Sequence, residues 1–441
     1  MKSSSSLWNF FASVKLALFT LCSLALTSII GTIIPQNQAE QVYIDAYGTK
    51  TATFFQLLDI TNMYTSWWFL SLLGILSANL IVCSLDRFPR AWEQITRDNL
   101  KLSPARIAKL RHAASFTSPE TPEKIAGSLK NLLGDKGWET VQSTGAEMVL
   151  LFSQKQRWSR VGVYIVHLSI LVVFVGAIYG SIGGFRGSIM LPELESSGVI
   201  YPYEQQKSID LGFTVRCDRF DLEFYDNGMP KEYRSQLSIL ENGTVVLQKD
   251  IEVNDPLRYK GITLYQASYQ PYRNFIFTLS KENGASIIRT GEFQKELQWQ
   301  EANVRFGIIN LESLRDNVSR IKIWFSDPTG PPTQFWLKAG EQAEVTRGKT
   351  TYVFSAKQRY ATGLQVAKDP GVWIVYLGFG LLILGLYMAF FMSHRRIWLV
   401  ITQQDNRTNI TLSGTTNKNA TGFAVQFKQL AETIEGHLLQ Q

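Results

Sequence analysis

The residue best suited to chemistry is a histidine inside an apolar segment. The sequence has four histidines, His112, His167, His394 and His437, and only His167 falls within a stretch long enough to cross a membrane, 161–182. Ionisable side chains at membrane depth are costly and usually mark function. A neutral imidazole there can bind a metal such as haem iron, or it can hydrogen-bond to a neighbouring helix. Both interpretations are compatible with the residue alone.

Helical geometry places this histidine on an apolar face. Because successive residues rotate by about 100°, His167 shares its face with Val163, Ile170, Leu171, Phe174 and Ile178. Gly176, Gly180 and Gly184 form a small-xxx-small ladder on roughly the opposite side, which is typical of close packing between membrane helices. We therefore expect one side of the segment to pack against a helix. The other side is expected to form an apolar slot that suits the edge of a haem.

Four apolar segments can each span a hydrocarbon layer of about 30 Å. They are 14–34, 67–85, 161–182 and 371–392. The first is followed by no small-residue cleavage pattern, so we predict a retained helix rather than a signal peptide. The predicted fold class is a multi-pass α-helical membrane protein with four transmembrane helices.

Basic residues cluster beside two of these segments. Seven arginines and lysines follow the second segment and two arginines follow the fourth, whereas the connection between the first two segments has one lysine and three acidic residues. The positive-inside rule then places both termini in the cytoplasm. The predicted cytoplasmic parts are 1–13, 86–160 and 393–441, and the predicted far-side parts are 35–66 and 183–370. This bias accounts for the net charge of +7, and no basic stripe with interleaved aromatics indicates nucleic-acid binding.

The parts outside the membrane have different strand and helix patterns. Short alternating runs separated by turns fill 183–370 and predict a large extracytoplasmic all-β domain of sandwich or barrel type, in two halves divided near 270–273. The loop 86–160 has the pattern of a strand, a helix and two strands, and the tail 393–441 that of two strands and a helix. Since neither has enough apolar surface to fold alone, we predict that they join into one small cytoplasmic α/β domain.

Several functional classes lack their motifs. Cys22, Cys83 and Cys217 form no Cys-x-x-Cys pair, which argues against a thiol oxidoreductase and a disulfide framework. A role for Cys83 stays open because it lies near the membrane surface. The sequence contains no Ser/His/Asp set, metal-ligand cluster or phosphate loop. Four helices with a single buried histidine also fit a solute transporter poorly.

Five stretches resemble, in order, the ResB/CcsB family of System II cytochrome c biogenesis. They are SVKLALFTLCSLALTSIIGTIIPQ, TSWWFLSLLGILSANLIVCSLDRFPRAW, RVGVYIVHLSILVVFVGAIYGSIGGFRG, VNDPLRYKGITLYQASYQ and HRRIWLVI. The ordered set covers essentially the whole chain. The resemblance implies a protein that works with a CcsA/ResC-type membrane partner to bring haem b across the bilayer as a transient substrate. The haem is then attached to apocytochromes c.

The resemblance also assigns a role to His167, which falls on the third-helix histidine of the family, an axial ligand of a transmembrane haem. The partner is expected to supply the second histidine and a tryptophan-rich haem loop, which this sequence lacks. The motifs are more similar to cyanobacterial and plastid members, which implies a thylakoid membrane and substrates such as cytochrome f and soluble c-type cytochromes; the plasma membrane is the alternative. The chain would be a non-autonomous component of a holocytochrome c synthase, without a complete active site.

The far-side stretch VNDPLRYKGI has the pattern of a β-hairpin with Gly261 in its turn. Its simplest interpretation is a hairpin of the β core. Alternatively, Arg258 and Lys260 form a surface for an apocytochrome or the partner and are available to haem propionates.

The predicted far-side parts contain no histidine, so imidazole ligation of haem is excluded there for this chain. Met190, Met229, Cys217 and the tyrosines remain formal alternatives. A membrane-anchored scaffold or chaperone that does not bind haem is the alternative function.

Overall fold

The computed structural model describes residues 5–97, 99–145, 148–202, 207–225, 230–282, 284–314, 317–338, 340–404 and 407–440. Met229 lies outside these residues. The chain divides into two compact units, one formed by Met1–Ile178 with Gly371–Gln441 and the other by Tyr179–Pro370.

The helices include the four predicted spans. In chain order they are α1 Ser6–Phe11, α2 Val14–Ile33, α3 Glu40–Tyr47, α4 Thr49–Leu57, α5 Trp67–Thr96, α6 Pro104–Ile107, α7 Pro122–Asp135, α8 Gly162–Gly183, α9 Val372–Phe390 and α10 Ala420–Leu439, with 3₁₀ turns at Ile60–Thr65, Asn99–Lys101, Arg157–Arg160 and Gln300–Ala302. Within the described part of the chain, α2, α5, α8 and α9 are long and apolar enough to cross a membrane. This confirms the four predicted apolar helices.

Within the described residues the strands fall into three sheets. In chain order they are β1 His112–Ser118, β2 Glu139–Thr144, β3 Met148–Lys155, β4 Phe185–Pro192, β5 Ser196–Pro202, β6 Ile209–Phe224, β7 Pro230–Glu241, β8 Thr244–Ile251, β9 Leu257–Tyr259, β10 Ile262–Lys281, β11 Ser286–Glu292, β12 Glu296–Trp299, β13 Val304–Leu314, β14 Asn317–Ser326, β15 Thr333–Lys338, β16 Gln342–Arg347, β17 Thr350–Lys368, β18 Arg395–Gln404 and β19 Arg407–Thr416.

Helix α5 is longer than the predicted span 67–85. It continues through Arg87, Pro89 and Arg90 to Thr96. Charged residues end the apolar stretch, but they are compatible with helical backbone geometry and do not end the helix. Proline removes one backbone donor and here does not interrupt the helix. The cations therefore lie at a fixed helical spacing from the apolar span instead of in a loop.

The connection between α2 and α5 is also helical, where the sequence indicated only a loop. Tyr43 on α3 is buried and its hydroxyl donates to the Pro35 carbonyl at 2.7 Å. The Gln36 amide donates to the carbonyls of Ile34 and Ile60 at 2.9 and 3.1 Å. These bonds satisfy backbone groups at the end of α2, where a helix leaves carbonyls without partners.

Helices α8 and α9 are packed through glycines. A Cβ atom added to Gly176 would lie 2.9 Å from the nitrogen of Val375, and one added to Gly378 would lie 3.1 Å from that of Val173. Backbones approach this closely only where a side chain is absent. Gly176, the first residue of the predicted ladder, lies in this contact.

This packing predicts opposite effects for two glycines of α9. Gly378→Ala should lower the free energy of unfolding by about 1–3 kcal/mol, because the added methyl group overpacks the contact with α8. Gly380→Ala should leave stability unchanged or raise it by up to about 1 kcal/mol, since no atom lies within 4 Å of its added Cβ. Thermal unfolding of both variants in detergent measures the difference, and equal effects would contradict the close packing.

A five-stranded antiparallel sheet combines the loop and the tail in the order β1-β19-β18-β3-β2. The two tail strands lie between the loop strands. Helices α7 and α10 cover one face, and the core on that face includes Leu129 of α7, Leu399 of β18 and Ile434 of α10. The other face buries Phe152 and Trp398. The strands of the loop and tail thus form one α/β sheet in which each depends on the other.

The second unit is a large β-rich domain with two hydrophobic cores. One core includes Leu264 and Val366, and the other includes Phe277 and Phe354. Strands β10 and β17 run through both, and their pairing is irregular between Pro271 and Phe275. The predicted division near 270–273 coincides with this irregularity.

Candidate functional site

His167 lies on α8 and lines a cavity of about 350 Å³. Residues of α2, α5, α8 and the 3₁₀ turn before α8 surround it: Val14, Ala17, Asn79, Leu80, Cys83, Arg87, Arg160, Val163, Tyr164 and His167. The cavity therefore lies toward the start of α8. Its lining combines aliphatic side chains with one imidazole, one phenol and two guanidinium groups.

One ring nitrogen of His167 is already paired. Its Nδ1 lies 2.9 Å from the hydroxyl oxygen of Ser84 on α5. The hydrogen bond to a neighbouring helix, one of the two interpretations of this residue, is therefore present. Among the described residues Nε2 has no hydrogen-bond partner. Metal-binding histidines commonly donate their second N–H to an acceptor, which fixes the tautomer and the ring orientation. Ser84 can accept from Nδ1–H and leave the Nε2 lone pair for a metal.

The wall of the cavity differs from the expected apolar slot. Ile170, Leu171 and Phe174, which share the face of His167, pack against a cluster that includes Phe69 and Leu76 of α5. Much of that apolar face is therefore used in helix packing. The open part of the cavity lies closer to the first residues of α8, where polar side chains of α5 and of the 3₁₀ turn can reach it.

Two arginines contribute the charge of the cavity. Arg87 is exposed and forms no ion pair or hydrogen bond within the described part of the chain. Arg160 is half-buried; its Nε donates to Nδ1 of His394 at 2.8 Å and its Nη1 donates to the Gln94 side-chain oxygen. Burial lowers the pKa of Arg160, but a guanidinium stays charged in proteins.

His394 holds Arg160 in place. It is completely buried, and since its Nδ1 accepts from Arg160, its Nε2–H donates to the Gln154 side-chain oxygen at 3.1 Å. Burial, followed by the charges of Arg160, Arg396 and Arg157, lowers the pKa of His394 to about 3. The neutral ring is therefore a fixed link between the five-stranded sheet and the cavity.

This burial predicts a pH dependence of stability. Free histidine has a pKa of about 6.5, so between pH 6.5 and 3 the unfolded chain binds a proton that the folded chain excludes. The free energy of unfolding should then fall by up to about 1.36 kcal/mol per pH unit as the pH drops through this window, and stay unaffected by His394 above it. Unfolding of His394→Asn measured beside the parent protein isolates this slope, because the carboxylates titrate in both. Equal slopes would disprove the neutral buried state.

Arg258 and Lys260 lie in the other unit, on the predicted hairpin. Lys260 and Gly261 have φ angles of 46° and 75° and form a tight turn between β9 and β10, as expected for Gly261. Lys260 forms an ion pair with Glu241, and that hydrogen bond raises the pKa of the ammonium group. Arg258 is exposed. Of the two, Lys260 is already paired with a carboxylate, whereas Arg258 forms no ion pair within the described residues.

The cysteines have separate environments. Cys83 lines the His167 cavity, and its thiol donates to the Ala12 carbonyl at 3.2 Å. Cys217 is buried in a core of the β-rich domain, where burial, with Glu193 and Asp218, raises the pKa of its thiol to about 12. Such a thiol is protonated and inert at neutral pH. Within the described ranges no group of three or more His, Cys, Asp or Glu side chains could hold a metal ion.

Sequence reasoning missed Ser84 and the place of Arg160. Ser84 falls inside the predicted span 67–85, but its bond to His167 joins two helices that are distant in the sequence, and hydropathy does not show which helices pack together. Arg87 follows that span and lies about one turn beyond Ser84 on the same continuous helix. Arg160 reaches the cavity through a 3₁₀ turn held by His394, which no local pattern indicates.

The comparisons point to one family. The model of the ResB-like family matches residues 14–355 and 314–428. A protein named cytochrome c biogenesis protein CcsB from Crocosphaera subtropica is 27% identical over 96% of this chain and 93% of its own length. A protein of the same name from Prochlorococcus marinus is 27% identical over 99% of this chain and 100% of its own. One from a Synechococcus species is 28% identical over 96% and 88%.

Proposed function

The chain belongs to the ResB-like family, and from this premise we propose that it acts in cytochrome c biogenesis as a membrane subunit that binds haem through His167. The observation that carries the proposal is the imidazole in a membrane helix with Nδ1 bound to Ser84 and Nε2 unpaired among the described residues. Aliphatic side chains beside it suit a flat apolar ring, and haem iron is commonly bound by imidazole. Haem b would be the transient substrate, bound before attachment to apocytochromes c.

In this proposal a second protein completes the coordination of the iron. The other three histidines lie outside the spans: His112 is in β1, His394 precedes β18 and His437 is in α10. His394 uses both ring nitrogens in hydrogen bonds. We propose that a CcsA/ResC-type partner supplies the second axial histidine in the bilayer. The chain then contributes to a holocytochrome c synthase without forming its active site alone.

The orientation of the chain follows from charge. Strand β3 leads into α8 and β18 follows α9, so the five-stranded sheet lies at one end of both helices. Arginines are concentrated at this end, which supports a cytoplasmic position for 86–160 and 393–441 together with the terminus 1–13. The segments 35–66 and 183–370 would then be lumenal in a thylakoid membrane, which fits the cyanobacterial relatives.

The depth of His167 indicates its stage in haem transit. It lies five residues after Gly162, the first residue of α8, or about 7.5 Å along the axis. In the proposed orientation this is near the cytoplasmic surface. His167 would therefore act at the entry of haem, and attachment to cytochrome f or soluble c-type apocytochromes would take place on the lumenal side.

Removing the imidazole should abolish haem binding. We expect His167→Ala, purified with its partner, to lose most of its haem and the absorption spectrum of bis-imidazole coordination, and added imidazole should restore part of that spectrum. Leu168→Ala is the matched control, since Leu168 is adjacent on α8 and exposed. Unchanged haem content and coordination in His167→Ala would refute the ligand role and favour the scaffold function.

Ser84 should affect the affinity for haem and its reduction potential without being essential for haem binding. In Ser84→Ala the Nδ1–H loses its acceptor, which lowers the basicity of the ligand and should weaken haem binding by about 10- to 100-fold. The reduction potential should become more positive, because ferric haem loses more donation than ferrous haem. Redox titration of the complex measures this. Ser77→Ala serves as control, since Ser77 bonds to the Leu73 carbonyl on the same helix, and identical potentials in the two variants would contradict a role for Ser84.

A further inference from the structure

The cavity beside His167 contains more positive charge than a purely apolar ring requires. Arg87 and Arg160 both line it. We propose that these two arginines bind the propionate carboxylates of the haem whose iron is bound by His167. The proposal rests on the proposed function of His167 and adds to it the residues that recognise the substrate's acidic edge.

The positions of His167 and of the two arginines fit one ligand, with its iron at the histidine and its carboxylates at the arginines. Ser84, which pairs with His167, is three residues before Arg87 on α5, about 4.5 Å along the axis. Arg160 lies in the turn that precedes α8. Both cations are therefore displaced from the imidazole in the same direction, toward the basic end of the two helices. A flat ring with its iron at His167 would extend its carboxylates toward them.

Within the described residues no ion pair compensates the charge of these two arginines. The hydrogen-bond partners of Arg160 are the neutral His394 and Gln94, and no ion pair involves Arg87 or Arg160 in the ranges that the structure describes. Other cations lie nearby, since the charge of Arg160 contributes to lowering the pKa of both Arg396 and Lys418. Gathering like charges beside an apolar cavity is unfavourable unless an anion is bound.

Carboxylates are the anions that match these groups. A guanidinium can donate two parallel hydrogen bonds to one carboxylate, and two arginines can accommodate the two propionates of one haem. His394 and Gln94 hold Arg160 in a fixed position before the ligand arrives, while exposed Arg87 is free to close on it. The vinyl edge of the ring, which forms the thioether bonds, would then point away from the cytoplasmic end.

The test compares haem with its dimethyl ester, which keeps the ring and the iron but lacks the carboxylate charges. Binding to the purified complex with the partner is followed by absorption. We expect the parent protein to bind haem about tenfold or more tightly than the ester, the size of one hydrogen bond to a charged group. Arg87→Gln should lose about that factor for haem and none for the ester. Arg90→Gln is the matched control, an exposed arginine of α5 outside the cavity lining.

For Arg160→Gln the readout is the ratio of the affinity for haem to the affinity for the ester, measured in one preparation. The ratio is needed because loss of the bond to His394 can lower both affinities. A reduced ratio supports the assignment, and an unchanged ratio removes Arg160 from it. Equal binding of haem and ester by the parent protein, or equal weakening of both by Arg87→Gln, would overturn the proposal. An effect of Arg87→Gln only on binding of phosphatidylglycerol in nanodiscs would instead assign the pair to a lipid headgroup.

The result also separates this inference from the proposed function. If His167→Ala loses its haem spectrum while the arginine variants discriminate haem from ester as the parent does, only the propionate assignment fails. If His167→Ala keeps its haem and coordination, the proposed function fails first.

Discussion

Polar groups inside a membrane-spanning bundle must find partners within the protein, and this constraint organises the helices around His167. Helix α5 carries several of these partners. Asn79 donates to the carbonyls of Phe11 and Ser13 at 2.6 and 3.0 Å, where α1 ends and α2 begins, and Cys83 donates to a carbonyl in the same break. Ser84 then pairs with His167. Different sides of one helix thus satisfy an interrupted backbone and an imidazole.

The five-stranded sheet adds a second constraint at the end of the bundle. Lys155 of β3 pairs with Arg395 of β18, so the start of α8 and the end of α9 are kept together by strand pairing. Glycines hold the same two helices close along their length. The bond between His394 and Arg160 then links the sheet to the cavity, so the sheet determines where the Arg160 side chain lies. The sheet, which lies outside the apolar spans, thereby holds the charged Arg160 side chain at the end of the helix bundle.

Much of this arrangement could be predicted from the sequence, because its signals are local. Apolar length identified the four spans, period-two patterns identified the strands of the loop and tail, and a histidine among apolar residues indicated the candidate site. The rest depends on contacts between distant segments. Hydropathy predicts a loop at Arg87, because a charged side chain ends the apolar stretch, but the same side chain is compatible with a helix and α5 continues through it. The pairing of Ser84 with His167 joins residues 83 positions apart. The packing of Phe174 against α5 likewise depends on which helix lies opposite.

A site built in this way suits a substrate that must leave again. In the proposed complex His167 would offer one axial bond and another chain the remaining coordination of the haem, so neither protein alone would hold the iron as firmly as a bis-histidine cytochrome does. Transport requires binding strong enough for entry and weak enough for release. In the proposed complex, dividing the ligands between two polypeptides would meet both conditions, since a small relative movement of the helices would remove one ligand.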